Sequence, residues 1–323
     1  MSEKTVNTFA WEKMGRVFRP DGRYSWMQHY AQNPSVLTLD DRLRVYFTCR
    51  GLPDADGMFA SVTTFVDLSR TDPREVIYVH DRPILPLGDP GTFDQFGVMP
   101  GTVLQAGGEV RLYYVGWTRT LGVPYNHAIG LARSRDHGMT FERAGRGPVI
   151  TRSVQEPFIQ NSPFAMEHDG IFHMWYSSGI DWVLQDGKPE SIYVLMHATS
   201  VDGVQWNREG IPFLTPVVEA ECQTNPCVFR KGDRFHMWFC YRHGLDFRNA
   251  QRGYKIGYAW SHDLKHWTRD DRVGALEPST DGWDSQMVCY PCVVSVDDNT
   301  YMFYSGNYFG REGFGCARLV SGG

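Results

Sequence analysis

Apolar and polar residues alternate in short runs along almost the whole chain, and the runs come in matching sets. Residues 160–179 read QNSPFAMEHDGIFHMWYSSG, and residues 223–244 read QTNPCVFRKGDRFHMWFCYRHG. Aligned on the proline, the phrase occurs five times, at Pro34, Pro100, Pro163, Pro226 and Pro291, at intervals of 66, 63, 63 and 65 residues. Each copy holds two strand-length runs joined by a tight polar turn (LDDR, AGGE, EHDG, RKGD, VDDN), which is the signal of a hairpin. A third run follows, as in IGLARSRDHGMTFER at 129, LMHATSVDGVQWNRE at 195 and IGYAWSHDLKHWTRD at 256. Its small-residue turn leads into a fourth run carrying Phe141, Trp206 or Trp267. Four strands per unit and five units predict an all-β fold, a five-bladed β-propeller of four-stranded antiparallel blades.

The blades are expected to start near residues 32, 98, 161, 224 and 289 of a single domain spanning 1–323. The last unit ends after FGCARLV, its third strand, while the N-terminal FAWEKMGRVFRP resembles fourth-strand stretches such as WNREGIPF. Residues 9–18 are therefore expected to complete the last blade and close the ring, which removes an open sheet edge. Few positions show the 3.6-residue period of a helix.

Composition narrows the function. A chain that is 42% hydrophobic and 21% charged can bury a sizeable core. Aromatic residues reach 14%, a level that suits strand faces and sugar-stacking surfaces alike. Net charge is −5 without a long Lys/Arg run, which disfavours a nucleic-acid partner. No apolar run approaches the ~20 residues of a membrane span. MSEKTVNTFAWEK lacks the apolar segment of a secretory signal, so a cytoplasmic location is expected by default. Seven cysteines, an odd number, fit reduced thiols better than a disulfide framework.

In a propeller the first strand of each blade lines the central channel, and the residues ahead of each proline converge on one mouth of it. These include His29, Gln32 and Asn33 in the first unit, and Asp94 and Gln95 in the second. Glu156 and Asn161 hold such places in the third unit, Glu221 in the fourth and Asp284 in the fifth. The loops between second and third strands add Arg50, Trp117, Arg119, His127, Trp182, Arg242, His243, Asn307 and Arg311. Ionisable groups gathered in one cleft mark a functional site, although amides and carboxylates ahead of a strand also serve as turn caps. Asp94, Glu156, Glu221 and Asp284 are the acid/base candidates, with His29 as a polar partner; the remainder of the set is assigned to substrate binding.

The phrases SxDGxxW, FHMWYS and IGYAxS, set in a five-unit repeat, resemble the five-bladed glycoside hydrolase superfamily. It includes the arabinanase/xylosidase, invertase/levansucrase and mannoside phosphorylase families. The resemblance covers essentially the whole chain and implies a carbohydrate-active enzyme, with an association to bacterial surface-polysaccharide genes. It also implies acids beside the first-strand starts of units one to three. Here those places hold Asn33, Met99 and Gly101, and Asn161, all neutral. An amide cannot act as nucleophile or general base, and glycoside hydrolysis uses a pair of carboxyls. A hydrolase would have to use the shifted carboxylates. The arginines of the loops point instead to a phosphorylated, nucleotide-linked or acidic sugar, because guanidinium forks bind oxyanions bidentately. Phosphorolysis by a single acid, sugar transfer, and non-catalytic sugar binding all remain open at this level.

Other signals are weaker. The CYPC stretch from Cys289 to Cys292 opens a strand rather than a helix and reads as buried packing. No HxH or HExxH pattern supports a metal, and the Gly-rich GDPGTFD lacks the context of a phosphate loop. Neither a cofactor nor a metal is expected.

Overall fold

The computed structural model describes residues 9–274 and 276–322. Strand β1 (Ala10–Phe18) is followed by blade I, comprising β2 (His29–Thr38), β3 (Arg42–Arg50), β4 (Ser61–Ser69) and β5 (Val76–Val79). Blade II holds β6 (Gly97–Ala106), β7 (Glu109–Thr118), β8 (Asn126–Ser134) and β9 (Glu142–Arg143). Blade III holds β10 (Gln160–His168), β11 (Ile171–Gln185), β12 (Lys188–Ser200) and β13 (Asn207–Arg208). Blade IV holds β14 (Cys222–Lys231), β15 (Arg234–Arg242), β16 (Lys255–Ser261) and β17 (Thr268–Arg269). Blade V holds β18 (Cys289–Val296), β19 (Asn299–Ser305) and β20 (Phe314–Ser321). Pairing within each blade is antiparallel, and a single parallel bridge between Ser61 and Gly97 links blades I and II.

This is the five-bladed β-propeller that the repeat predicts. Strand β1 pairs antiparallel with β20, so the N-terminal segment supplies the outer strand of blade V. The fourth strands of blades II to IV are shorter than expected. Phe141, Trp206 and Trp267 precede them, and only two residues of each pair with the neighbouring strand. The core lies between blades rather than at one centre. Phe18, Phe47, Phe303 and Phe314 pack blade V on blade I, and Trp175, Leu195, Met237 and Phe239 pack blade III on blade IV. Burying each such side chain contributes roughly 1.5–3 kcal/mol.

The first strands share one irregularity. Asn33, Ser162, Asn225 and Tyr290, each directly before a proline, have φ of 54°, 51°, 47° and 59°. At each the pairing with the second strand slips, as in a β-bulge. Asn tolerates this left-handed region, whereas Ser and Tyr occupy it at a cost of about 1–2 kcal/mol. In β6 the slip follows Pro100 instead, at Gly101, where a Cβ would meet the Pro163 ring at 2.5 Å.

Candidate functional site at the channel mouth

The four shifted carboxylates lie in similar places, and each faces a base; three of them also accept from a tyrosine. Asp94 accepts hydrogen bonds from the Tyr114 hydroxyl at 2.8 Å and from Arg143 Nε at 2.7 Å. Glu156 accepts from Tyr176 at 2.8 Å and has Arg208 at 3.6 Å. Asp284 accepts from Tyr304 at 2.9 Å and from Lys13 Nζ at 2.7 Å. Glu221 accepts from Arg269 at 2.6 Å, from Gln223 at 2.8 Å and from the Val217 backbone N–H at 2.8 Å. Each base comes from the outermost strand of the carboxylate's own blade, and the tyrosines come from the second strand. All four carboxylates are buried, and burial beside them pushes the Tyr114, Tyr176 and Tyr304 phenols far up, so these tyrosines act as donors. The expected convergence of the four acids on the mouth is not what the geometry displays. Each is closed into its own blade, and none lines a mouth cavity.

Two contiguous cavities, of about 680 and 360 Å³, occupy the mouth. They share Gln32, Arg50, Tyr125, Tyr193, Tyr254 and Tyr290. The larger extends to Tyr30, Glu190, Arg242, Phe247 and Arg248; the smaller is floored by Asn33, Asn161 and Asn225 and walled by Trp117 and His127. Of the sequence-predicted binding residues, Gln32, Asn33, Arg50, Trp117, His127, Asn161 and Arg242 are thus brought together.

The others lie outside both cavities. Gln95 caps Gly91 N–H, and Asn307 accepts from Gln286 and Met287 N–H. Arg119 pairs with Asp54 at 2.6 Å, and Trp182 packs on Tyr125. His29 opens β2 opposite Arg50; His243 follows β15, where burial lowers its pKa; Arg311 is exposed.

Arg50 ends β3, and its Nε donates to Ser61 Oγ at 3.2 Å. Its guanidinium stands 4.6 Å over the Tyr30 ring. Among the described residues, no carboxylate pairs with it and no acceptor meets its two terminal nitrogens. Burial works against this charge and lowers its pKa from the ordinary value. Nearby His127 stacks on Tyr125 and has a buried Nδ1 without a partner. Burial, reinforced by the Arg50 charge, pushes His127 down to about 3, so the ring is neutral.

Arg242 is buried, and among the described residues no carboxylate pairs with it. It stacks 3.5 Å over Phe247 and donates to Tyr193 and to the His243 and Gly244 carbonyls. The only carboxylate lining either cavity among the described residues is Glu190, held by Arg248 at 2.7 Å.

The floor is a neutral network. Asn225 Nδ2 donates to Asn33 Oδ1 at 3.4 Å, and Thr224 Oγ1 donates to Ser162 Oγ at 2.9 Å. Asn33 and Asn161, at places where the sequence resemblance implies acids, carry no charge. The cavity therefore offers fixed positive groups, aromatic faces and amides, with one acid on its rim. Among the described residues there is no group of three or more His, Cys, Asp or Glu placed to hold a metal ion, and all seven cysteines are free. None of the described helices is long and apolar enough to cross a membrane.

Sequence reasoning passed over Tyr193, Tyr254, Tyr290 and Glu190 as site residues. Tyr193 and Glu190 lie on the third strand rather than in a loop. Tyr290 had a signal, since it directly precedes Pro291, where the other units place their mouth-facing residues.

Comparison with known proteins places the architecture first. A member of the GH130 family of mannoside phosphorylases, which contains glycoside hydrolases that target β-1,2 mannosidic linkages in Candida mannan, superposes with a TM-score of 0.73. The match covers 100% of this chain and 98% of that one at 15% identity. A thermostable family-43 glycoside hydrolase matches with a TM-score of 0.64 over 94% and 92% of the two chains, at 14% identity. The fold is that of the glycoside hydrolase propeller superfamily. No protein-family model matches the sequence. The uncharacterized protein MT1551 of Mycobacterium tuberculosis (strain CDC 1551 / Oshkosh) is 34% identical over 312 residues, 96% of this chain and 99% of its own. The chain belongs to the family of that mycobacterial protein.

Proposed function

We propose that the protein is a carbohydrate-active enzyme whose mouth cavity takes a glycoside or activated sugar bearing an anionic group. One observation carries this reading: half-buried Arg50 lines an aromatic-walled cavity with open N–H groups and, among the described residues, no carboxylate partner. Partial burial of a cation without a counter-charge is unfavourable, and a bound oxyanion offsets that cost. The tyrosine and tryptophan faces suit a sugar ring. With Asn33 and Asn161 neutral and Glu190 alone, the cavity favours single-acid chemistry, such as phosphorolysis or sugar transfer, over hydrolysis by a carboxyl pair. The four buried carboxylates act, in this reading, as blade clasps.

The test is thermal unfolding with glucose, glucuronate, glucose 6-phosphate and a nucleotide sugar. A ligand that binds only the folded state raises the midpoint as ln(1 + [L]/Kd). Anionic sugars should raise it and glucose should not, with Arg50→Ala abolishing the shift. Stabilisation by neutral sugars alone would overturn the proposal.

A non-catalytic sugar-binding propeller is the second reading, favoured by the ion pair that occupies Glu190, the only cavity carboxylate among the described residues. Glu190→Gln separates the two: an enzyme loses turnover and keeps ligand, whereas a binder has no turnover to lose.

A further inference from the structure

The mouth cavities hold a chain of hydroxyls whose proton order can be read from the hydrogen bonds. Arg242 donates twice to one oxygen, with Nε at 3.2 Å and Nη2 at 3.0 Å from Tyr193 Oη. Its Nη1 donates to the His243 carbonyl at 2.7 Å and the Gly244 carbonyl at 3.2 Å, so the guanidinium is pinned in one orientation. A phenol oxygen that accepts two such bonds has its acceptor capacity filled and can only donate onward. Among the described residues, the one remaining polar neighbour of Tyr193 Oη is the Tyr254 hydroxyl, which it contacts directly. Tyr193 therefore donates to Tyr254, and the Tyr254 proton must point elsewhere. Among the described residues, no acceptor takes it. Yet Tyr254 is buried and lines both cavities, together with Arg50.

We infer that Tyr254 is a ligand-contacting donor whose free hydroxyl proton meets an anionic oxygen of the bound sugar, with Tyr193 and Arg242 as positioning residues that order and polarise it. Hydrogen bonds in a chain strengthen one another in a low-dielectric site, and the cation at the head of this chain drives every proton toward the cavity. Burial raises both phenols well above their ordinary values, in keeping with hydroxyls that donate rather than ionise. Arg50 and Tyr254 then present two donors of different type to one cavity, which suits a phosphate or carboxylate better than a neutral hydroxyl. This inference rests on the reading of the cavity as an anion-binding sugar site.

The experiment is calorimetric titration of the full chain with glucose 6-phosphate and with glucuronate, alongside glucose, for the wild type and for Tyr254→Phe, Tyr193→Phe and Arg242→Lys. The phosphate and carboxylate arms distinguish the two oxyanion sources. Tyr254→Phe should weaken whichever anion binds by about tenfold or more, the usual loss for a hydrogen bond to a charged group. Tyr193→Phe keeps the Tyr254 hydroxyl but removes the donor that orders it, and should weaken binding by a smaller factor. Arg242→Lys keeps the charge but cannot deliver two N–H groups to one oxygen, and should behave like Tyr193→Phe. A downfield hydroxyl proton resonance, present in the wild type and lost in both Phe variants, would report the Tyr193–Tyr254 bond independently of ligand and of any fold change. If no anion binds the wild type, the anion-site reading fails. If an anion binds and Tyr254→Phe binds it as tightly, or if the folded wild type lacks the resonance, the donor chain fails while the anion site stands.

Discussion

The Tyr114 hydroxyl donates to the Asp94 carboxylate at 2.8 Å from twenty residues further along the chain. The same spacing joins Tyr176 to Glu156 and Tyr304 to Asp284. In each case the base that completes the cluster lies two residues after an aromatic, as Phe141–Arg143, Trp206–Arg208 and Trp11–Lys13. Blade I writes the motif in apolar residues: Met27 and Phe47 hold the two places, both fully buried, with Val76 and Val79 of β5 in the same cluster. The device ties the inter-blade loop to the second and outer strands of its own blade.

Breaking a clasp should therefore cost stability. Tyr114→Phe leaves Asp94 paired with Arg143 and should lose about 1–2 kcal/mol. Asp94→Ala strands both partners and should lose about 3–5 kcal/mol. Urea unfolding of both variants measures this. Full stability combined with lost turnover in Asp94→Ala would return the carboxylate to the chemistry.

Blade I should reject the ionic version. Met27→Asp buries a carboxylate against Phe47 and the β5 valines, with no outer-strand base to meet it. A loss of several kcal/mol, or failure to fold, is expected from an unpaired buried charge. Soluble expression and thermal unfolding of the variant are the readout; wild-type behaviour would mean that the loop rearranges to bring the carboxylate to water.

Acid should destabilise the fold through buried histidines. His127 is pushed down to about 3, and His197 and His236 to about 4, in each case mainly by burial. All three are neutral when folded and take up a proton near pH 6.5 when unfolded, so the unfolded state binds more protons below that pH. Stability is therefore complete above about pH 6.5 and falls as pH drops toward 4, by up to ~1.4 kcal/mol per pH unit for each histidine. His127→Gln should flatten the slope by one proton, as read from unfolding curves between pH 8 and 4.

Restoring a superfamily acid should work against the cavity's charge. Asn33→Asp keeps an oxygen for Asn225 to donate to, and Asp tolerates the left-handed backbone, so the fold should survive. The new carboxylate shares its cavity with Arg50 and should weaken binding of an anionic sugar about tenfold, as measured by calorimetry. Unchanged affinity would place the anion away from the channel floor.

The architecture was legible in the sequence because a propeller repeats one unit. Five prolines at near-equal intervals, five hairpin turns and the pairing of residues 9–18 with the last blade all follow from local pattern, and β1 does pair with β20. Part of the cavity lining was legible for the same reason: residues ahead of the prolines, such as Asn33 and Asn161, come together in one cavity.

The chemistry of the candidate site depended on which side chains face one another, and the repeat alone does not reveal that. A carboxylate five to seven residues before a proline looks the same in sequence whether it opens to the mouth or turns back to a tyrosine on the next strand. The twenty-residue spacing to that tyrosine held the information, yet its meaning requires the twist of a real blade. The sequence by itself determined the blades, their order and the neutral residues at the channel floor, because these rest on periodicity and residue type. Only the tertiary structure decided that four acids are closed into blades, that Arg50 has no counter-charge among the described residues, and that Tyr193 and Tyr254 meet from blade III and the approach to blade IV's third strand. The contacts involved span from 20 residues (Tyr114–Asp94) to 61 residues (Tyr193–Tyr254), set by how strands and blades pack together rather than by any local preference of the chain.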